Sequence, residues 1–183
     1  ALSAADDAQS GAFIRAGQQR IRASEIEACR SAGLTICADN VARVDHDLLH
    51  FLSDIKEAVA FPGTALASIF MSPPGTGFSN LHIDTRHVLT FQVRGSKRWR
   101  FEPSARVTWP EHKIGISDDG VWGAEQLADW ERPLMPPPSA PREHILRAGE
   151  ALFVPAGAWH GAQALDAESV SLAVFFVPTR RRE

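Results

Sequence analysis

Residues 79–94 read SNLHIDTRHVLTFQVR and contain two signals, a β-strand and a pair of potential metal ligands. The second half, 87–94, alternates between apolar and polar side chains, and one face consists of Leu89, Phe91 and Val93. Such alternation is typical of a strand with one buried face. Gly95 and Ser96 then indicate a hairpin turn, and 97–101 is predicted to form the next strand.

Short apolar runs bounded by glycine and proline recur over the remainder of residues 64–178. They are Ala65–Ser72, His144–Arg147, Ala151–Val154 and Ser169–Val177. Several short strands separated by turns predict a mainly β fold, either a sandwich or a jelly roll. Residues 103–141 interrupt this pattern with many prolines and three tryptophans. We expect this long irregular stretch to be an insertion that covers a site.

The first 63 residues have a different character. Residues 1–33 are predicted to be helical or loose, and 34–37 to form a short strand. A helix is expected next, with Asp45 as its N-cap and Pro62 and Gly63 after its end. The length favours one domain over 1–183, with a lead-in over 1–63 and a β core over 64–178.

Composition narrows the classes of partner. The net charge of −3 gives no general attraction to nucleic acid or to an acidic membrane, so neither is expected as a partner. No apolar run approaches the roughly 18–20 residues that span a bilayer. Two cysteines, Cys29 and Cys37, suit a reducing compartment. With no secretory signal visible at the N-terminus, a cytoplasmic location is the expectation.

His82 and Asp84 are the residues that point to chemistry. On a strand, residues i and i+2 face the same side, so both side chains can reach one metal ion. An imidazole and a carboxylate suit iron(II), and His160 is the best third ligand because it begins the strand after a Pro-Ala-Gly-Ala turn. Two histidines and one carboxylate form a facial triad, which leaves positions for a bidentate oxoacid and dioxygen.

A chance pair on a polar strand explains His82 and Asp84 equally well when they are considered alone. His46 and His50 lie four residues apart on the predicted helix, but a solvated helix face is the more frequent reason for that spacing. The other histidines, His87 and His112 and His144, have no partner motif. The sequence around these residues is therefore needed to distinguish a metal site from a chance pair.

Two longer stretches provide that context. Residues 78–103 combine H-x-D with an apolar strand and G-x-K-x-W, and 147–160 read RAGEALFVPAGAWH. Both resemble the JmjC/cupin-like 2-oxoglutarate oxygenases, in the same order and over roughly residues 30–178 of this chain. The ribosomal-oxygenase-like branch is the most similar. The resemblance implies a double-stranded β-helix with N-terminal helices, and Fe(II), 2-oxoglutarate and O2 as cofactor and cosubstrates.

The resemblance also implies roles for individual residues. Lys97 matches the basic position that holds the distal carboxylate of 2-oxoglutarate, which is reasonable because a dicarboxylate needs a cation at one end. Ser79 matches a hydroxyl that touches the cosubstrate in some relatives. Ser171, on the last strand, is a further candidate, and packing explains it equally well. From their position just after the metal strand, and not from the resemblance, Arg86 and His87 are expected near the entrance, with ordinary surface packing as the alternative.

Departures from the family concern the cosubstrate end and the substrate. The chain contains no tyrosine. Phe70 stands where related enzymes often have tyrosine, and Ser68 where some have asparagine. The dimerisation and winged-helix regions of ribosomal oxygenases have no counterpart in this sequence, so a ribosomal substrate does not follow from the resemblance.

The function that the resemblance implies is hydroxylation of a C–H bond in a peptide or protein side chain, with succinate and CO2 as products. A small-molecule substrate remains an alternative. Two other functions stay open: a metal-dependent cupin enzyme that acts without 2-oxoglutarate, and a non-catalytic JmjC-like binding domain.

Overall fold

The computed structural model describes residues 2–5, 19–77, 80–108, 110–117, 120–122, 136, 138, 140–165 and 167–178. Two α-helices are present in this part of the chain, α1 (Ile26–Ser31) and α2 (His46–Ala58). The strands are β1 (Leu2–Ala5), β2 (Gln19–Ile21), β3 (Thr35–Ala38), β4 (Thr64–Ser72), β5 (His82–Ile83), β6 (His87–Arg94), β7 (Ser96–Phe101), β8 (Ile114–Ser117), β9 (Gly120–Trp122), β10 (Arg142–Arg147), β11 (Ala151–Val154), β12 (Trp159–Ala164) and β13 (Ser169–Val177).

The described strands form two antiparallel sheets. One has seven strands in the order β11-β6-β13-β4-β3-β1-β2, and the other has six in the order β10-β7-β12-β5-β8-β9. Sequence-distant strands are neighbours in both sheets, as β12 with β5 and β13 with β4. This is the topology of a jelly roll, and the predicted mainly β fold with N-terminal helices is confirmed.

The seven-stranded sheet has an apolar outer face and a partly polar inner face. On β6 the outer residues Leu89 and Phe91 pack in one cluster with Leu52 of α2, whereas Thr90 and Gln92 point to the inner side and are buried. The alternation in the sequence was therefore correctly assigned to a strand. Helix α2 covers the apolar face, and the interior that remains between the sheets is lined partly by polar groups.

Helix α2 begins and ends where the sequence predicted. The Asp45 side chain accepts a hydrogen bond from the Leu48 amide at 2.9 Å, which satisfies one of the free N–H groups at the helix start. Leu52 is buried against Ala67 and Val174 of the seven-stranded sheet. No helix in the described ranges is long and apolar enough to cross a membrane.

Two expectations about local structure were wrong. Residues 2–5 and 19–21 form β1 and β2, which extend the seven-stranded sheet beyond β3. Within the described residues, the helical or loose interpretation of 1–33 therefore holds only for 22–33, which contain a short 3-10 helix (Ala23–Glu25), α1 and a turn. The stretch 103–141 was expected to be irregular, yet it contains β8 and β9. Two of its tryptophans, Trp109 and Trp130, lie outside the described residues.

Candidate metal centre and adjoining cavity

Strand pairing brings His82 and His160 together. The two residues are directly opposite each other in the β5–β12 pair, and their ring centroids are 4.3 Å apart. Asp84 follows His82 by two residues, and one potential ligand atom from each of the three side chains lies within 4.8 Å of the others. All three residues are buried. The structure thus assembles the three residues that the sequence proposed as ligands.

Each imidazole is oriented by the backbone carbonyl group two residues before it in the sequence. His82 Nδ1 lies 3.1 Å from the Asn80 carbonyl oxygen, and His160 Nδ1 lies 3.0 Å from the Ala158 carbonyl oxygen. Because a carbonyl oxygen only accepts hydrogen bonds, each Nδ1 must donate, and each Nε2 of a neutral ring then carries a lone pair. The backbone contact fixes the tautomer that a metal ion needs.

The turn before His160 is held in place by close backbone contacts. Gly157 has a φ of 82°, and a Cβ atom there would lie 1.8 Å from the Val107 carbonyl oxygen, so only glycine fits. The Gly157 amide donates to the Asp84 carbonyl oxygen at 3.0 Å. The segment that leads to one histidine is therefore tied directly to the carboxylate residue.

The environment sets the protonation state of these groups. Burial, with a further contribution from His160, lowers the pKa of His82 to about 3. For Asp84, burial acts to raise the pKa, but the charge of Lys113 and the two histidines hold the pKa well below its ordinary value. At neutral pH the site presents a neutral His82 imidazole and the Asp84 carboxylate, which are the forms that bind metals.

Lys113 forms an ion pair with Asp84 Oδ1 and was missed by the sequence analysis. The pairing of β5 with β8 explains its position. His82 pairs with Gly115 and Ile83 with Ile114, so the next pair in an antiparallel register sets Asp84 against Lys113. No local spacing in the sequence relates residues 84 and 113, which are joined only by this strand pairing.

A cavity of about 570 Å³ adjoins the three residues. Lys97 lies in its wall, is only 4% exposed, and has its Nζ 5.9 Å from the centroid of the Phe70 ring. Trp99, two residues further along β7, lines the same cavity, and its ring stacks 6.3 Å from that of His160. Lys97 and the three candidate ligands thus line one cavity, with an aromatic ring of the same strand in its wall.

The donor set fits a divalent transition metal. Two imidazoles and one carboxylate match the 2-His-1-carboxylate arrangement of non-haem iron(II) sites, which keeps positions open for small ligands. The cavity beside the three side chains is where such ligands have room. The same donors also bind other divalent ions, such as cobalt(II).

Comparison with known proteins adds the family. A model of the JmjC domain matches residues 47–183. The chain belongs to the JmjC domain family. Ribosomal oxygenase 1 of Gallus gallus is 30% identical over 126 residues, which cover 68% of this chain and 18% of that protein. The uncharacterized protein YxbC of Bacillus subtilis is 24% identical over 129 residues, which cover 69% of this chain and 38% of that protein.

Solved structures agree with this JmjC fold. The ribosomal oxygenase YcfD of Escherichia coli, in complex with cobalt and 2-oxoglutarate, is similar with a TM-score of 0.54 and 20% identity. The similarity covers 81% of this chain and 33% of that chain. The chain thus spans well under half the length of these relatives.

Of the two serines predicted to bind the cosubstrate, the structure describes Ser171 but not Ser79. Ser171 lines the cavity, but its hydroxyl donates to Gln92 Oε1 at 2.8 Å. Gln92 Nε2 in turn donates to Ser169 Oγ at 2.7 Å. The Ser171 hydroxyl proton is engaged in this buried network, so in this arrangement Ser171 offers a cosubstrate only an acceptor. Ser79 lies outside the described residues.

The cavity also has an acidic residue that sequence analysis did not identify. Asp39 lines it, and Asp39 Oδ1 accepts hydrogen bonds from Ser68 Oγ at 3.0 Å and the Cys37 thiol at 3.1 Å. Ser68 was noted as a departure from the family, and its contact is with this carboxylate. Asp39 reaches the cavity because it follows β3, which pairs with β4.

Of the two residues expected at the entrance, Arg86 lines the cavity and His87 does not. Arg86 is exposed and lines the cavity. His87 is not among the lining residues; its Nδ1 accepts a hydrogen bond from the Ala156 amide at 2.9 Å, and its ring lies 5.6 Å from that of Phe153. His87 thus supports the turn before His160.

Proposed function

We propose that this JmjC domain is an Fe(II)- and 2-oxoglutarate-dependent oxygenase that hydroxylates a C–H bond in a peptide or protein side chain. The observation that carries the proposal is a single cavity that contains both the His82, Asp84 and His160 group and the buried Lys97. A keto acid with a second carboxylate is the ligand class that needs a metal at one end and a cation at the other.

The proposed roles follow from the side chains. His82, Asp84 and His160 would hold the metal, and Lys97 would pair with the distal carboxylate of 2-oxoglutarate. The chemistry that a bound iron would supply is oxidation of the substrate by O2, coupled to conversion of 2-oxoglutarate to succinate and CO2. The E. coli relative solved with cobalt and 2-oxoglutarate supports this cofactor set.

The remaining work of the protein is positioning and exclusion of water. Trp99, Val88 and Phe175 give the cavity apolar walls. Apolar walls strengthen the attraction between Lys97 and a carboxylate because they lower the local dielectric constant. They also separate the reacting atoms from bulk water. Lys97 itself is buried in the cavity wall, so its ammonium is shielded from bulk water.

A protein or peptide substrate is the preferred class. Two relatives are ribosomal oxygenases, and the cavity reaches exposed residues at its rim, among them Asp39 and Arg86. A charged, open rim suits a side chain presented by a larger molecule better than a small apolar compound. The chain covers only part of these relatives, so their own substrates do not transfer to it.

The test is anaerobic addition of Fe(II) and 2-oxoglutarate to the wild type and to His82→Ala. We expect a weak visible charge-transfer band in the wild type that is absent from the variant. Adding O2 should then yield succinate from the wild type alone. A wild type that binds metal without any band, and without 2-oxoglutarate binding by calorimetry, would rule out the proposal and favour a cupin-type enzyme that needs no 2-oxoglutarate.

A further inference from the structure

The two carboxylate oxygens of Asp84 have different neighbours. Oδ2 lies 3.6 Å from His160 Nε2, whereas Oδ1 is in an ion pair with the Lys113 ammonium. The Asp84 side chain is 9% exposed and that of Lys113 is 56% exposed. One oxygen therefore faces the candidate metal centre, and the other is held by a cation that reaches in from the rim of the cavity.

Lys113 has a fixed backbone although its side chain is exposed. The next residue, Ile114, is fully buried in a cluster with Ile83 and Trp159. Near the other end of β8, the Ile116 amide donates to the Leu81 carbonyl oxygen at 2.9 Å. These contacts hold β8 against β5, so the position from which Lys113 approaches Asp84 is set by the packed sheet.

We propose that Lys113 is a positioning residue that keeps Asp84 a one-oxygen ligand of the metal. The inference rests on the proposed function. Carboxylates bind metals through one oxygen or through both. Binding through both would use a position that the keto acid or O2 requires in a triad of this kind. With the ammonium on Oδ1, Oδ2 is the oxygen that Asp84 presents beside His160. Partners of this kind orient the carboxylate ligands of metal sites in general.

The experiment compares wild type with Lys113→Met, using cobalt(II) as the probe metal. We expect Lys113→Met to bind cobalt at least as tightly as wild type, because a positive charge next to a cation site has been removed. We expect its cobalt complex to bind 2-oxoglutarate about tenfold more weakly, since a ligand position is lost. The visible spectrum of bound cobalt should also change, because that spectrum reports the number of ligands.

Two further variants distinguish positioning from general damage. Lys113→Arg keeps a positive charge beside Oδ1 and should give the wild-type spectrum and 2-oxoglutarate affinity. Lys56→Met removes the same charge from the last turn of α2 and should alter none of the readings. Thermal unfolding of the metal-free proteins checks that every variant is folded.

Several outcomes would overturn the inference. Equal weakening of cobalt and 2-oxoglutarate binding in Lys113→Met would indicate a structural role, and unchanged readings would show that the ion pair has no role. If wild type binds cobalt but not 2-oxoglutarate, the proposed function fails, and an altered cobalt spectrum in Lys113→Met would still support the effect on Asp84. If wild type binds no cobalt, both proposals fail.

Discussion

The two ends of the cavity are built in different ways. At the metal end, the pairing of β5 with β12 and with β8, all within the six-stranded sheet, brings together His82, His160 and Lys113. At the other end, Lys97 comes from the six-stranded sheet, while Ser68 and Ser171 come from the seven-stranded sheet. The first end depends on register within one sheet, and the second depends on how two sheets pack.

Substitutions at the two ends of the cavity should have different effects. At the metal end, which depends on strand register, removal of one side chain should remove a ligand while the neighbouring strands keep their pairing. The Lys97 end also depends on buried groups that do not line the cavity, such as Gln92, which links β6 to β13 within the seven-stranded sheet. Substitutions at the two ends should therefore separate metal binding from cosubstrate binding and from stability.

The largest effect is expected for the metal end itself. Asp84→Ala and His160→Ala each remove one of three potential ligands, and we expect cobalt(II) affinity to fall by more than about a hundredfold. Isothermal calorimetry measures this. His50→Ala, on the exposed side of α2, is the matched control and should bind cobalt normally. Wild-type affinity in His160→Ala would place the metal elsewhere in the molecule.

Lys97→Met should separate the two ends. Loss of a buried charged donor is worth about 2–3 kcal/mol, which corresponds to about a 30- to 150-fold weaker affinity for 2-oxoglutarate. Cobalt affinity should be unchanged, because Lys97 is not among the candidate ligands. Arg98→Met removes the neighbouring exposed charge on β7 as a control. An unchanged 2-oxoglutarate affinity in Lys97→Met would reject the role of Lys97.

Gln92→Leu tests the dependence of the second end on packing between strands. The substitution leaves the buried Ser169 and Ser171 hydroxyls without their Gln92 partner, so we expect a loss of about 1–3 kcal/mol in the free energy of unfolding. Urea denaturation measures the loss. Gln163→Leu removes a glutamine hydrogen bond from a more exposed position and should cost less. Equal stability of Gln92→Leu and wild type would show that the network contributes nothing.

The same contrast explains what the sequence could predict. His82 and Asp84 follow from the two-residue repeat of a strand, and His160 from the turn before it. Lys97 came from a family resemblance, since nothing in local spacing ties it to the metal end. The altered surroundings of Lys97 were also anticipated: Phe70 was noted as a replacement for tyrosine, and its ring lies beside the Lys97 ammonium.

Lys113 and Asp39 could not be predicted, because each reaches the cavity through strand pairing. Lys113 depends on β8 pairing with β5 across a segment that was expected to be irregular. Asp39 depends on β3 pairing with β4. The short strands β1 and β2 were missed for a related reason. With four and three residues they have too little pattern of their own, and they are defined by their pairing partners.

His87 offers the smallest and most specific test of the metal end. Its Nδ1 accepts a hydrogen bond from the Ala156 amide, in the turn that leads to His160. This hydrogen bond requires a ring that is unprotonated at Nδ1. Burial lowers the pKa of His87 below its ordinary value of 6.5. A histidine with a lowered pKa in the folded state contributes its full stability above pH 6.5 and loses it as the pH falls towards the folded-state pKa.

His87→Asn supplies an acceptor that does not titrate. Between about pH 7 and pH 5, metal-free wild type should therefore lose more unfolding free energy than His87→Asn, by less than about 1 kcal/mol because the ring is partly exposed. Urea denaturation at several pH values measures the difference, and titration of His82 and Asp84 is common to both proteins. Parallel curves would mean that the turn before His160 is held without His87, by the Gly157 contacts alone.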